Sequence, residues 1–237
     1  MSPFLGELLG TTVLMLLGNG VVANVVLKQT KGSGGGWIVI ATGWGLAVLM
    51  GIFTARLFGS PEAHINPAVT LGSAVLSGDY SNVLSFVTAQ MIGGFLGAVL
   101  VWIHYMPHWA VTKDPADKLA CFATGPAIRA TGPNFVSETL ATLFLIVGLN
   151  GIGQTQDIPP GLGPYLVGML VWSIGLSLGG PTGYAVNPAR DLGPRLAHAL
   201  LPIAGKGSSD WAYGWIPVVG PFVGAVLAAL LLGLVSL

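Results

Sequence analysis

The chain has 237 residues, of which 53% are hydrophobic and 8% are charged, and its formal net charge is zero. A soluble domain normally carries about 25% charged residues, so this composition indicates a membrane protein and excludes an ordinary soluble domain. The neutral balance gives no indication of a nucleic-acid partner, and the single cysteine, Cys121, excludes an internal disulfide.

Six apolar stretches follow one another along the chain. Each has about the 20 residues that a helix needs to cross the hydrocarbon core of a bilayer. They predict six transmembrane helices, and the longest polar connection separates the third from the fourth. The predicted crossings cover residues 4–27, 37–58, 83–105, 135–151, 162–178 and 216–236.

An Asn-Pro-Ala tripeptide occurs twice, after the second and after the fifth apolar stretch. Asn is a preferred helix N-cap and Pro is favoured at the first helical position, so each copy predicts a helix start. The segments that follow are too short to span a membrane, which predicts two re-entrant half-helices. The Asn side-chain oxygens would cap these helices and leave both NH₂ groups free to donate into a lumen. The two copies are Asn66, Pro67, Ala68 and Asn187, Pro188, Ala189.

The two halves of the chain repeat, with Glu7 and Glu138 in equivalent positions. Because three crossings per repeat is an odd number, the second repeat must enter the membrane from the opposite side. This inverted three-helix repeat lets the half-helices point their N-termini at each other near the midplane. The predicted organisation is a single channel domain over 1–237, with repeat 1 at about 1–105, a loop at about 106–134 and repeat 2 at about 135–237.

Two half-helix N-termini that face each other predict a path for neutral polar molecules and a barrier to cations. Each N-terminus carries a partial positive charge. Together the two would repel a cation about 4 Å away by roughly 4 kcal/mol at an effective dielectric near 20. Amide donors at the centre would also orient passing oxygens and interrupt a proton wire.

In these features the chain resembles the major intrinsic protein family, the aquaporins and glycerol facilitators, over essentially its whole length. The resemblance rests on the six crossings, the paired motifs, the paired glutamates and Arg190 directly after the second motif. It implies an all-α membrane protein with six transmembrane helices and two re-entrant half-helices in an aquaporin-like right-handed bundle. It also implies a multi-pass homotetramer in the cell membrane, plasma or inner, with both termini cytoplasmic.

The function implied by the resemblance is passive conduction of glycerol, water and other small neutral solutes, with ions and protons excluded. Neutral lactic acid is a further candidate because it resembles glycerol in size. The rival hypothesis is an ion-coupled secondary transporter of a small polar solute, since such transporters also use inverted repeats and broken helices. The sequence has no nucleophile–base constellation, cofactor fingerprint or metal-ligand spacing, so no enzyme, cofactor or metal site is predicted.

The resemblance places a selectivity filter at Trp44, Gly175, Tyr184 and Arg190. Water-selective members typically have histidine at the Gly175 position, so glycine is expected to leave room for a carbon skeleton. Trp44 and Tyr184 would form an apolar corner, and Arg190 would supply donors opposite them. Tyr184 stands where glycerol-conducting members typically have phenylalanine.

Four further residues are predicted to support the pore. Glu7 and Glu138 are either a proton-coupling pair or acceptors for N–H groups of the irregular segments before the half-helices. Asp191 follows Arg190, as in glycerol-conducting members, and is expected to bond the backbone of its own loop. His64 is expected to line the inner vestibule.

The charge distribution conflicts with the implied orientation. Cytoplasmic termini would place most basic loop residues outside, whereas the positive-inside rule predicts the reverse. The family pattern is preferred here because Arg190 and Arg195 belong to its second re-entrant loop. The residues in conflict are Lys28, Lys31, Lys113, Lys118, Arg129 and Lys206.

Overall fold

Helices form all the regular structure in the computed structural model, which describes residues 1–159 and 161–235. Eight of them form the bundle, and three short ones lie in the connections at one end. The helices are α1 (Pro3–Val26), α2 (Trp37–Leu57), α3 (Pro67–Ser77), α4 (Val83–His104), α5 (Met106–Val111), α6 (Pro115–Ala120), α7 (Thr131–Gly153), α8 (Leu162–Leu178), α9 (Pro188–Leu200), α10 (Trp211–Gly214) and α11 (Ile216–Val235).

The long helices correspond to the predicted crossings. Five segments of the described chain are long and apolar enough to cross a membrane, namely helices α1, α2, α4 and α7 and the segment Trp211–Leu234. Helix α8, the predicted fifth crossing, is apolar but has only 17 residues. The loop predicted over 106–134 contains α5, α6 and the first turn of α7. Ser236, the predicted end of the sixth crossing, lies outside the described residues.

Both half-helices begin at the predicted N-caps. Asn66 has extended backbone angles, and its side-chain oxygen accepts the N–H of Ala68 at 2.9 Å. Asn187 does the same at the start of α9, where its oxygen accepts the N–H groups of Ala189 at 3.0 Å and Arg190 at 3.2 Å. The local chemistry of Asn-Pro therefore fixes the two helix starts.

The two repeats exchange their half-helices. In the first repeat α1 packs against α2 and α4, and in the second α7 packs in the same way against α8 and α11. Half-helix α3, however, packs mainly on α11 of the second repeat, and α9 packs mainly on α4 of the first. These two contacts between the repeats, together with the contact of α2 with α8, join the two inverted three-helix units into one bundle.

Glycines four residues apart allow close helix contacts within each repeat, Gly93 and Gly97 on α4 and Gly220 and Gly224 on α11. A Cβ at Gly97 on α4 would lie 2.5 Å from Met15 Cβ on α1. In the second repeat, a Cβ at Gly220 on α11 would lie 2.9 Å from Glu138 Cβ on α7. Since neither site has room for a methyl group, the small residues let the helix backbones approach closely.

Several basic residues at the end of the bundle that carries α5, α6 and α10 hold the connections together. Lys206 Nζ donates to the carbonyls of His198, Ala199 and Leu201 at 2.6–2.7 Å, at the C-terminus of α9. Lys118 Nζ likewise binds the carbonyls of Ala204 and Gly205. Positive charge is favourable at a helix C-terminus. These two lysines therefore have a structural role that does not depend on which way the protein is oriented in the membrane.

We expect Gly97→Ala to lower the stability of the protein in detergent by about 1–3 kcal/mol, because the added methyl overpacks the α1–α4 contact. The measurement is the melting temperature of the purified protein. Gly20→Ala is the matched control on α1, because a Cβ there meets no atom within 4 Å. A melting temperature that rises equally in both variants would show that close approach at Gly97 is not required.

Candidate functional site

The two Asn-Pro-Ala loops are bonded to each other at the centre of the bundle. Asn66 Nδ2 donates to the carbonyl of Val186 at 2.9 Å, and Asn187 Nδ2 donates to the carbonyl of Ile65 at 2.9 Å. An amide NH₂ has two hydrogens, so each Asn uses one to hold the opposite loop. The expectation that both hydrogens of each amide are free was therefore wrong, and one per amide is left for a solute.

The segments before the half-helices have a strained backbone with the same pattern in both repeats. Ile65 and Val186 have φ values of 43° and 44°, in the left-handed region that β-branched residues rarely occupy. Two residues earlier, Ala63 and Tyr184 have φ values of 50° and 39°. Each such residue costs about 1–3 kcal/mol and persists only where its surroundings hold it.

Two fully buried carboxylates hold these strained segments. Glu7 accepts the N–H of His64 at 2.9 Å and the N–H of Ile65 at 2.7 Å. Glu138 accepts the N–H of Ala185 at 2.9 Å and the N–H of Val186 at 3.0 Å. This arrangement is the one that the channel interpretation of the paired glutamates predicts.

The Glu7 site has additional polar partners. Glu7 also accepts hydrogen bonds from Ser60 Oγ at 2.7 Å and from Gln90 Nε2 at 2.8 Å. His64 Nδ1 lies 3.2 Å from Thr70 Oγ1, and its ring borders the main cavity. The structure thus places His64 beside the first half-helix, on the cavity wall.

A cavity of about 570 Å³ passes the Asn pair and follows α2 from Arg56 to Trp44. These two positions are twelve residues apart on one helix, which corresponds to about 18 Å. Among the described residues, no group of three or more His, Cys, Asp or Glu side chains could hold a metal ion. The apolar lining of the cavity includes Leu14, Val48, Ile52, Val69, Leu145 and Val167.

Three of the four predicted filter residues meet at one end of this cavity. Trp44, Tyr184 and Arg190 all line it. The guanidinium carbon of Arg190 lies 4.0 Å from the Trp44 ring centroid, which is a cation–π contact. Arg190 was expected opposite Trp44, but it stacks on the ring instead. Its buried Nη1 has no protein partner among the described residues, so this donor remains available.

Gly175 lies next to this group but does not line the cavity. A Cβ at Gly175 would lie 2.6 Å from the Tyr184 hydroxyl and 2.7 Å from Tyr184 Cζ. The space expected to widen the pore is therefore filled by the phenol of Tyr184. Gly175 affects the lumen indirectly, because it lets this ring recede into α8.

Asp191 ties the second half-helix to the connection between the repeats. Its carboxylate accepts the N–H and hydroxyl of Thr124 at 2.8 and 2.6 Å, so the expectation of a bond within its own loop was wrong. It also pairs with the fully buried Arg195 at 2.7 Å, and Arg195 donates to the carbonyls of Thr124 and Ser209. The i, i+4 spacing of Asp191 and Arg195 is the sequence signal that could have predicted this pair.

We expect Glu138→Ala to lower the melting temperature and the folded yield, because it leaves the N–H groups of Ala185 and Val186 without an acceptor. Each unsatisfied buried donor costs about 1–3 kcal/mol. Glu138→Gln keeps one acceptor oxygen and should lose less stability. A Glu138→Ala protein as stable as the unmodified chain, but inactive in transport, would contradict this structural role.

Comparisons with known proteins agree with this architecture. The family model described as Major intrinsic protein matches residues 1–232. The chain is 56% identical to a probable glycerol uptake facilitator protein of Thermotoga maritima over 97% of both chains. It is 50% identical to the glycerol uptake facilitator protein of Bacillus subtilis, over 94% of this chain and 81% of the relative.

A solved structure extends the comparison to three dimensions. The X-ray structure of the aquaglyceroporin from Plasmodium falciparum superposes with a TM-score of 0.85 and 30% sequence identity, covering 97% of this chain and 94% of that one. The sequence and the fold of this chain therefore both agree with one family. The chain belongs to the major intrinsic protein family and is a multi-pass membrane protein.

Proposed function

We propose that this protein is a passive channel that conducts glycerol, other small neutral solutes and water, and that it excludes ions and protons. The observation that carries the proposal is the meeting of two half-helix N-termini beside one cavity, joined by the Asn66–Val186 and Asn187–Ile65 bonds. The names of the relatives, glycerol uptake facilitators, support glycerol as a solute.

The cavity has the two-sided lining that a polyol needs. In the described part of the chain, the carbonyl oxygens of Ala63, His64, Tyr184 and Ala185 accept no hydrogen bond from the protein. Buried carbonyls need partners, and the hydroxyl groups of a passing solute can supply them. The carbon skeleton would then face the apolar side chains of the opposite wall.

Cations meet a positive field along the same path. The N-termini of α3 and α9 each contribute about half a positive charge, and Arg190 adds a full charge near the constriction. The remaining N–H of Asn66 and of Asn187 would donate to the oxygen of a central water. Because that water then turns its own hydrogens outward, a hydrogen-bonded proton wire would be interrupted there.

The filter in this proposal consists of Trp44, Tyr184 and Arg190 facing the lumen, with Gly175 behind Tyr184. The surface of the Tyr184 ring and the part of the Trp44 ring that Arg190 leaves uncovered would face carbon atoms, and Arg190 would offer donors to hydroxyl oxygens. We also propose that the protein forms a homotetramer in the cell membrane, with termini in the cytoplasm. Because the cavity lies within one chain, each subunit would have its own pore.

The rival hypothesis of an ion-coupled transporter requires a carboxylate that can exchange protons. Each candidate, Glu7 and Glu138, is fully buried and uses both oxygens to accept backbone N–H groups. Protonation would remove acceptors that the strained loops need. This role in loop packing favours the channel over the transporter.

We expect proteoliposomes that contain the protein to show passive, bidirectional glycerol flux that an imposed proton gradient does not change. Stopped-flow light scattering with glycerol, water, urea and lactic acid across a pH series measures this. Lactic acid uptake should fall as pH rises above the acid's pKa, because desolvating its carboxylate is costly. Accumulation of a solute against its gradient, abolished by Glu7→Gln, would favour the transporter.

We expect Gly175→His to reduce glycerol permeability by roughly tenfold or more, because an added side chain expels the Tyr184 ring from its recess toward the lumen. Water permeability should remain measurable in the same vesicles. Gly180→His is the control, since a Cβ at Gly180 meets no atom within 4 Å. Unchanged glycerol and water fluxes in Gly175→His would contradict the proposed filter.

A further inference from the structure

The Tyr184 ring lies in a recess of α8 and of the turn that follows it, formed by two glycines. Gly175 and Gly179 are four residues apart, and this spacing places them on one side of the helix. A Cβ at Gly179 would lie 2.6 Å from Tyr184 Cδ1, at the opposite end of the ring from the hydroxyl that Gly175 faces. The whole length of the phenol therefore fits where two side chains are missing.

Trp37, the first residue of α2, closes this recess. Its indole Nε1 donates to the carbonyl of Gly175 at 2.9 Å. Its ring lies edge-on to Tyr184, with centroids 5.9 Å apart and an interplanar angle of 75°. A Cβ at Gly179 would also lie 2.6 Å from Trp37 Cζ2, so one tryptophan contacts both glycines and the ring between them.

Packing alone fixes the position of the Tyr184 ring. Its buried hydroxyl has no hydrogen-bond partner among the described residues, so no directional bond holds the side chain. The contacts with Gly175, Gly179 and Trp37 are therefore part of the packing that holds the ring in the recess.

We propose that Trp37 is a positioning residue that sets the size selectivity of the constriction by holding the Tyr184 ring in the glycine recess. The proposal rests on the proposed function, in which Tyr184 forms one wall of the filter. Trp37 does not line the cavity, so it acts on the solute only through Tyr184. Its bond to the Gly175 carbonyl fixes the indole, and the edge-to-face contact transmits that position to the phenol.

The first test replaces Trp37 and measures the ratio of glycerol to erythritol permeability in proteoliposomes. Trp37→Leu removes the edge-to-face contact, so the ring can take more than one position, and the ratio should fall about threefold or more. Trp37→Phe keeps an aromatic edge beside Tyr184 and should retain most of the ratio. Trp215→Leu is the control, because Trp215 is also part-exposed and stacks on Phe135.

The second test disturbs the recess from the α8 side. Gly179→Ala would place a methyl group 2.5 Å from the Gly175 carbonyl and 2.6 Å from both Trp37 Cζ2 and Tyr184 Cδ1, so the recess must deform. We expect glycerol permeability to fall about threefold more than water permeability, because the displaced ring narrows the lumen. Gly180→Ala, at the neighbouring position with open space, should change neither. This pair keeps the proposal testable if Trp37→Leu does not fold.

The outcomes separate the two proposals. If the unmodified protein conducts water but no glycerol, the proposed solute is wrong. A crystal structure of Trp37→Leu then tests the role of Trp37 separately. A Tyr184 ring that leaves the recess supports that role, and a ring that stays contradicts it. Equal loss of all permeabilities in Trp37→Leu and Gly179→Ala, with ratios unchanged, would show a merely structural role and overturn the inference. A changed ratio in these variants and not in the controls supports it.

Discussion

The structure depends on one constraint, which is that irregular backbone at membrane depth must have partners for its polar groups. The two segments before the half-helices cannot form a regular helix, because their left-handed residues interrupt it. Glu7 and Glu138 accept the inner N–H groups of these segments. In the function proposed above, the carbonyls of these segments that accept no protein hydrogen bond would be satisfied by the solute.

The inverted repeat makes this arrangement possible twice in one chain. Because each half-helix packs on the last helix of the other repeat, the two N-termini meet without either repeat closing on itself. The second repeat differs from the first at the half-helix. Arg190 follows the second Asn-Pro-Ala motif, whereas Val69 follows the first, and Asp191 with Arg195 anchors only the second half-helix to the long connection.

Local chemistry and spacing were enough to predict the crossings and both half-helix starts from the sequence. Asn-Pro fixes a helix start by a bond within three residues, so no tertiary information is needed. The stacking of Arg190 on Trp44 and the filling of the Gly175 recess by Tyr184 join elements far apart in sequence. A glycine shows only that a side chain is missing, and the fold determines which neighbour uses the space.

The crossed bonds of the two Asn residues have a consequence for biogenesis. During synthesis the first half of the chain reaches the membrane before Val186 exists, so Asn66 Nδ2 has no carbonyl to bind. The strained turn at Ile65 likewise lacks the amide of Asn187. The lumen can therefore take its final form only after the second half-helix has been translated and has met the first.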